Sequence, residues 1–131
     1  MDLLFSGLTT RLGRVVETAS DLSERFSGGK DRPTEATGIA RLFRFADDDD
    51  LLDVARNVAI GAVENAGILL ADVGGIVATS NFTHATLMPT FGPAVAERMG
   101  LTLVRAATVG TGCGGLAQAV EYAAAIMTSQ M

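Results

Sequence analysis

At 131 residues the chain is one domain's worth and long enough for a real core, while a net charge of −5 with a single lysine, Lys30, argues against a nucleic-acid partner. One cysteine excludes an internal disulfide, and one histidine, His84, excludes most multi-ligand metal sites. Apolar residues make up 48% and mean hydropathy is +0.33, high for a small soluble monomer whose surface needs polar covering.

The opening Met1-Asp2-Leu3-Leu4-Phe5 lacks the basic region and long apolar core of a signal peptide, so a cytoplasmic protein is expected. Leu3 to Leu8 suits a first strand, and Arg11 to Phe26 carries Val15, Val16, Leu22 and Phe26 at loosely helical spacing. Ser27 to Pro33 is a turn-rich loop. Leu42, Phe43 and Phe45 then alternate with Arg41 and Arg44. Asp47 to Asp50 has the look of a metal-binding run but reads better as the cap of the helix that follows. In that helix Leu51, Leu52, Ala55, Val58, Ala59, Ala62, Val63 and Ala66 recur at three- and four-residue steps until Gly67 stops it.

Val73 to Ser80 reads as a buried strand, Pro93 to Met99 as a helix ended by Gly100, and Leu101 to Val109 as another strand. Leu116 to Thr128 is the last helix. The apolar stretch Ala106 to Met127 is long enough to suggest a membrane span, but Gln118, Glu121 and its glycines argue for a helix buried on all sides instead. Strands alternating with helices imply βαβ units and a mainly parallel sheet. Such a sheet needs helices on both faces, and the final helix is apolar nearly all round, so the chain reads as half of a larger fold.

Cys113 lies in Thr108-Val109-Gly110-Thr111-Gly112-Cys113-Gly114-Gly115, between a strand and a helix. A nucleophile at such a junction faces the N–H groups of the helix's first turn and the positive end of its dipole, which favours an anion. Small neighbours let a substrate carbonyl come close. A lone cysteine in apolar surroundings is often a buried, inert small hydrophobe, but the glycines and the helix start favour a nucleophile here.

From Asp48 to Met131, and more loosely from Met1, the sequence resembles the N-terminal part of β-ketoacyl-acyl-carrier-protein synthase III enzymes of the thiolase-like superfamily. The matching pieces are Thr37-Gly38-Ile39, Glu64 to Ile68, Ile76 to Ser80, Pro89, Glu97 to Leu101 and Cys113 to Ala119. The resemblance implies an α/β fold in which residues 1–131 form the first half of a thiolase-like αβαβα sandwich, completed by another chain. The nucleophile's helix would lie at the centre, between two sheets. It implies an acyltransferase in which Cys113 carries an acyl group as a thioester and passes it to a carbon nucleophile by decarboxylative condensation, or to an oxygen or nitrogen acceptor.

The family's catalytic histidine and asparagine lie in its second half, so the implied partner is a complementary C-terminal-half polypeptide carrying both, in a hetero-oligomer. His84 falls in a first-half loop and is not assigned as the base. Asn81, Phe82, Leu87, Met88 and Phe91 occupy the segment that in the family shapes the acyl pocket across the dimer; ordinary core residues are the alternative. Gly114 joins them as a substrate-binding candidate, although Thr111, Gly112, Gly114 and Gly115 read first as close backbone packing. Members that bind coenzyme A often carry Trp-x-x-x-Arg before Thr-Gly-Ile, where this chain has Arg32 and Ala36. An acyl-carrier-protein thioester is therefore a better donor than an acyl-CoA thioester. No cofactor, metal or membrane is implied. A non-catalytic scaffold, or a fragment of a full-length ketosynthase, is the alternative reading.

Overall fold

The computed structural model describes residues 4–18, 20–22, 24, 38–79, 90–110 and 112–129. It is a mixed α/β chain that divides into two compact units, one formed by Thr10–Asp49 and the other by Met1–Thr9 with Asp50–Met131.

In the smaller unit, β1 (Val15–Thr18) pairs antiparallel with β2 (Arg41–Arg44), with Val15 opposite Arg44 and Thr18 opposite Arg41. The loosely helical spacing expected over residues 11–26 gives way to a strand at 15–18, while residues 20–22 and 24 are helical. The branched Val15-Val16 pair and Thr18 favour a pleated surface, and β2 supplies the partner backbone. Arg44 pairs across the ribbon with Glu17 at 3.2 Å and along it with Asp47 at 3.0 Å. Arg14 takes Asp48 and, at 3.1 Å, Asp49. Three carboxylates of the acidic run are thus engaged by arginines of the smaller unit.

The fourth, Asp50, caps the first helix of the larger unit, as its sequence position implies. Its side chain accepts from the N–H groups of Leu52 and Asp53, and α1 runs from Leu51 to Ala66. Gly67 ends it in a left-handed conformation at φ 68°, with Gly67 N–H on Glu64 O and Ile68 N–H on Val63 O, which satisfies two carbonyls the helix leaves without partners. A 3₁₀ turn at Leu70–Asp72 leads into β3 (Gly75–Thr79).

The helix α2 (Phe91–Arg98) begins two residues before the expected Pro93. Proline is tolerated there because first-turn N–H groups have no acceptor within the helix. Gly100, at φ 77°, closes α2 with the same pair of hydrogen bonds, Gly100 to Glu97 and Leu101 to Ala96. These bonds hold residues 100 and 101 in the turn, so the next strand, β4, starts at Arg105 rather than Leu101 and runs to Val109.

The strands β3 and β4 pair in parallel, Gly75 opposite Arg105 and Thr79 opposite Val109, and α2 forms the crossover between them. Among the described residues the expected mainly parallel sheet is one parallel pair and one separate antiparallel pair. A first strand is expected over Leu3 to Leu8, and its described residues, 4–8, lie in no strand. Instead Gly7 (φ 71°) presses on α1, where an added Cβ would stand 2.1 Å from Ala62 O, and Asn65 donates to Leu8 O at 3.3 Å.

A 3₁₀ turn at Gly112–Gly114 opens directly into α3 (Gly115–Thr128). This is the apolar helix expected to be buried on all sides, yet it buries only Gly115 and Ala119. It packs on β3 and leaves Leu116 71%, Tyr122 47% and Met127 49% exposed. No helix among the described residues is long and apolar enough to cross a membrane.

Candidate functional site

The site begins where β4 ends. Val109 and Gly110 carry the chain off the sheet, and Gly112 turns it at φ 60°, a left-handed conformation that glycine adopts without strain. Cys113 follows within the 3₁₀ turn, at the amino end of α3. The thiol is exposed, contrary to the buried cysteine that its apolar neighbourhood leads one to expect. Its neighbours in the turn, Gly112 and Gly114, are both glycine.

Gly112 and Gly114 do not supply close packing: a Cβ built on either would meet nothing within 4 Å. Gly112 answers to its backbone conformation, and Gly114 has open space at its own Cβ position, one residue after Cys113. Only Gly115 is buried. Gly114 precedes α3 with no side-chain cap, and first-turn N–H groups of a helix have no acceptor inside it.

Phe91 is half-buried at the first position of α2. Its neighbour Gly92 is buried and donates its N–H to Thr108 Oγ1 of β4 at 2.8 Å. A Cβ on Gly92 would lie 2.2 Å from Ala107 O, so the helix start is clamped onto the strand that delivers Cys113. Neither Gly92 nor Thr108 was singled out by sequence reasoning; a glycine immediately before a proline at a helix start is the available signal. Asn81, Phe82, Leu87 and Met88, with His84 and Thr111, lie outside the described residues.

A second polar cluster joins α1 to α2. Arg98 bonds Asp53 and, at 3.1 Å, Asp50, while Arg56 donates to Arg98 O at 3.1 Å. The N–H of Leu52, with smaller help from Asp53 N–H and Arg98, holds the Asp50 carboxyl below the usual carboxylate range. This cluster shapes the scaffold. Among the described residues no group of acidic, histidine and cysteine side chains is arranged to hold a metal ion.

No family model matches the chain. It does match curated proteins named mycobacterial beta-ketoacyl-acyl-carrier-protein synthase III. The Mycobacterium tuberculosis strain H37Rv protein is 33% identical over 88 residues, covering 67% of this chain and 26% of that protein. Those of Mycolicibacterium paratuberculosis and Mycobacterium avium are 31% and 29% identical, over 85% and 82% of this chain and 32% of each relative. The chain is related to the β-ketoacyl-acyl-carrier-protein synthase III enzymes. It spans between a quarter and a third of the length of these synthase III relatives, as an N-terminal portion of the synthase would.

Proposed function

We propose that the chain is the nucleophile-bearing half of a synthase III-like acyltransferase, the N-terminal half of a thiolase-like domain over residues 1–131. Cys113 Sγ attacks the carbonyl of an acyl thioester. The tetrahedral oxyanion is held by backbone N–H groups, and its collapse releases the carrier thiol and leaves the acyl group on Cys113. The acyl group then passes to a carbon nucleophile produced by decarboxylation, or to an oxygen or nitrogen acceptor, and the Cys113 thiol is regenerated. A complementary half on a partner chain supplies the histidine and asparagine for the second step. Asn81, Phe82, Leu87, Met88 and Phe91 shape the acyl pocket, and Gly114 keeps the approach to sulfur open.

The single observation that supports this reading best is the sole thiol standing exposed at the amino end of α3, beside a glycine with open space at its Cβ position. The relatives named as synthase III point to the same chemistry. Arg32 and Ala36, in place of the coenzyme-A-binding Trp and Arg, favour a carrier-protein thioester as donor.

The test is intact mass spectrometry of the chain, assembled with its complementary half and incubated with acyl-carrier-protein thioesters. An added acyl mass that disappears in Cys113→Ala supports acyl transfer. A chain that stays unacylated, while Cys113→Ala assembles and leaves the complex fully active, establishes the scaffold reading instead.

A further inference from the structure

The start of α2 is poorly supplied with acceptors of its own. Its N-cap, Thr90, makes no side-chain capping bond, and Pro93 has no N–H to offer. Ala94 N–H closes the first helical bond, on Thr90 O at 2.8 Å, so the N–H of Gly92 has no acceptor within the helix. Thr108 Oγ1 of β4 takes it at 2.8 Å, and a strand residue thereby caps α2 from outside.

The contact is close as well as directional. A Cβ on Gly92 would stand 2.2 Å from Ala107 O and 2.7 Å from its carbonyl carbon, so α2 rests directly on the backbone of β4. The glycine sets the distance and the hydroxyl sets the direction. On either side of this clamp stand residues that the proposed reaction uses. Phe91, half-buried, is the neighbour of Gly92, and Cys113 follows Thr108 by five residues, past the end of β4 and a glycine-bearing turn. One hydrogen bond therefore ties the start of α2, with its pocket residue, to the strand that leads to the thiol.

We propose that Thr108 is a positioning residue for acyl selection. By capping α2 it sets where Phe91 stands relative to the strand that leads to Cys113, and with that the length of acyl group accepted. The inference rests on the acyl-transfer reading and adds a residue that the reading does not use. Thr108 acts through Phe91 and has no part in the bond changes at sulfur. A neutral hydrogen bond is worth roughly a threefold to tenfold change in an equilibrium, which bounds the effect.

Acylation rates of the assembled protein with acetyl and octanoyl carrier-protein thioesters, read by intact mass, test it. Thr108→Val keeps the branched shape and removes the acceptor, and is expected to shift the octanoyl-to-acetyl rate ratio by roughly threefold to tenfold. Thr108→Ser, which keeps the hydroxyl, is expected to restore the ratio. In a Phe91→Ala background Thr108→Val is expected to leave the ratio alone, because the residue it positions is gone. A ratio unchanged by Thr108→Val overturns the proposal. Rates that fall equally for both donors overturn it too, as does a shift that survives Phe91→Ala. Should Thr108→Val fail to fold, Thr108→Ala is read in the same way. Labelling of Cys113 by iodoacetamide and by N-octyl iodoacetamide reads the same selection without acyl transfer. A wild type that is never acylated, with a labelling ratio that Thr108→Val still shifts, removes the acyl-transfer reading and leaves the positioning by Thr108 standing. A fixed labelling ratio in that case removes both.

Discussion

Cys113 and its flanking glycines divide the work between conformation and access. Gly112 has the left-handed φ, and Gly114 has the empty Cβ position. Gly114→Ala is thus expected to leave stability within about 0.5 kcal/mol of the wild type by urea denaturation. The same change is expected to slow acylation of Cys113 in the assembled protein, because the methyl group enters the approach to sulfur. Gly92→Ala has the opposite signature. Its methyl group would collide with Ala107 O, so a loss of about 1–3 kcal/mol is expected in the same denaturation experiment. The Cys113 thiol is expected to react with iodoacetamide in the folded chain, with the adduct located by peptide mass mapping. An unlabelled Cys113 would contradict its exposed position.

At the scale of elements, α1 and α2 are joined through their ends. Asp50 caps α1 with one oxygen and receives Arg98 from the last turn of α2 on the other, so a single carboxylate serves two helices. Because the N–H of Leu52 and its neighbours hold Asp50 below the usual carboxylate range, its contribution to stability is present above that range. That contribution is lost as pH falls through the lowered folded-state value. Asp48, lowered chiefly by its hydrogen bond from Arg14, acts with the same sign in the smaller unit. Thermal denaturation scanned from neutral to acidic pH should show Asp50→Ala less stable near neutrality. The variant's curve should also be flatter on the acid side, where the wild type loses the cap by protonation. Curves that stay parallel down to the acid limb would show that Asp50 makes no such contribution.

For the whole molecule, α3 sets the problem. Leu116, Tyr122 and Met127 are among its exposed side chains, and covering large apolar groups is worth about 1.5–3 kcal/mol each against a typical net stability of about 5–15 kcal/mol. The chain expressed alone is therefore expected to self-associate or to unfold at low denaturant, and to gain a dilution-resistant state only with its complementary half. Analytical ultracentrifugation checks this. A well-folded 13.5 kDa species that persists on dilution would show that α3 needs no cover. Leu116→Lys with Met127→Lys is expected to reduce self-association of the isolated chain and to weaken assembly with the second half, which separates a docking face from a merely greasy one.

What the amino-acid sequence determined by itself was local. The three- and four-residue apolar spacing marked α1, glycines at 67 and 100 marked two helix ends, and the final helix was plain from composition; each depends on a few neighbouring residues and their hydrogen bonds. The prominence of Cys113 was legible for the same reason, since a strand, a glycine turn and a helix follow one another in sequence. The tertiary structure decided the rest. Whether Val15–Thr18 became strand or helix depended on Arg41–Arg44, more than twenty residues away. That residues 4–8 lie in no strand goes with Gly7 lying against α1, which local sequence does not record. The Gly92 to Thr108 clamp likewise arises from packing between distant segments. Periodicity records which face of an element is apolar, and only tertiary structure says what that face meets.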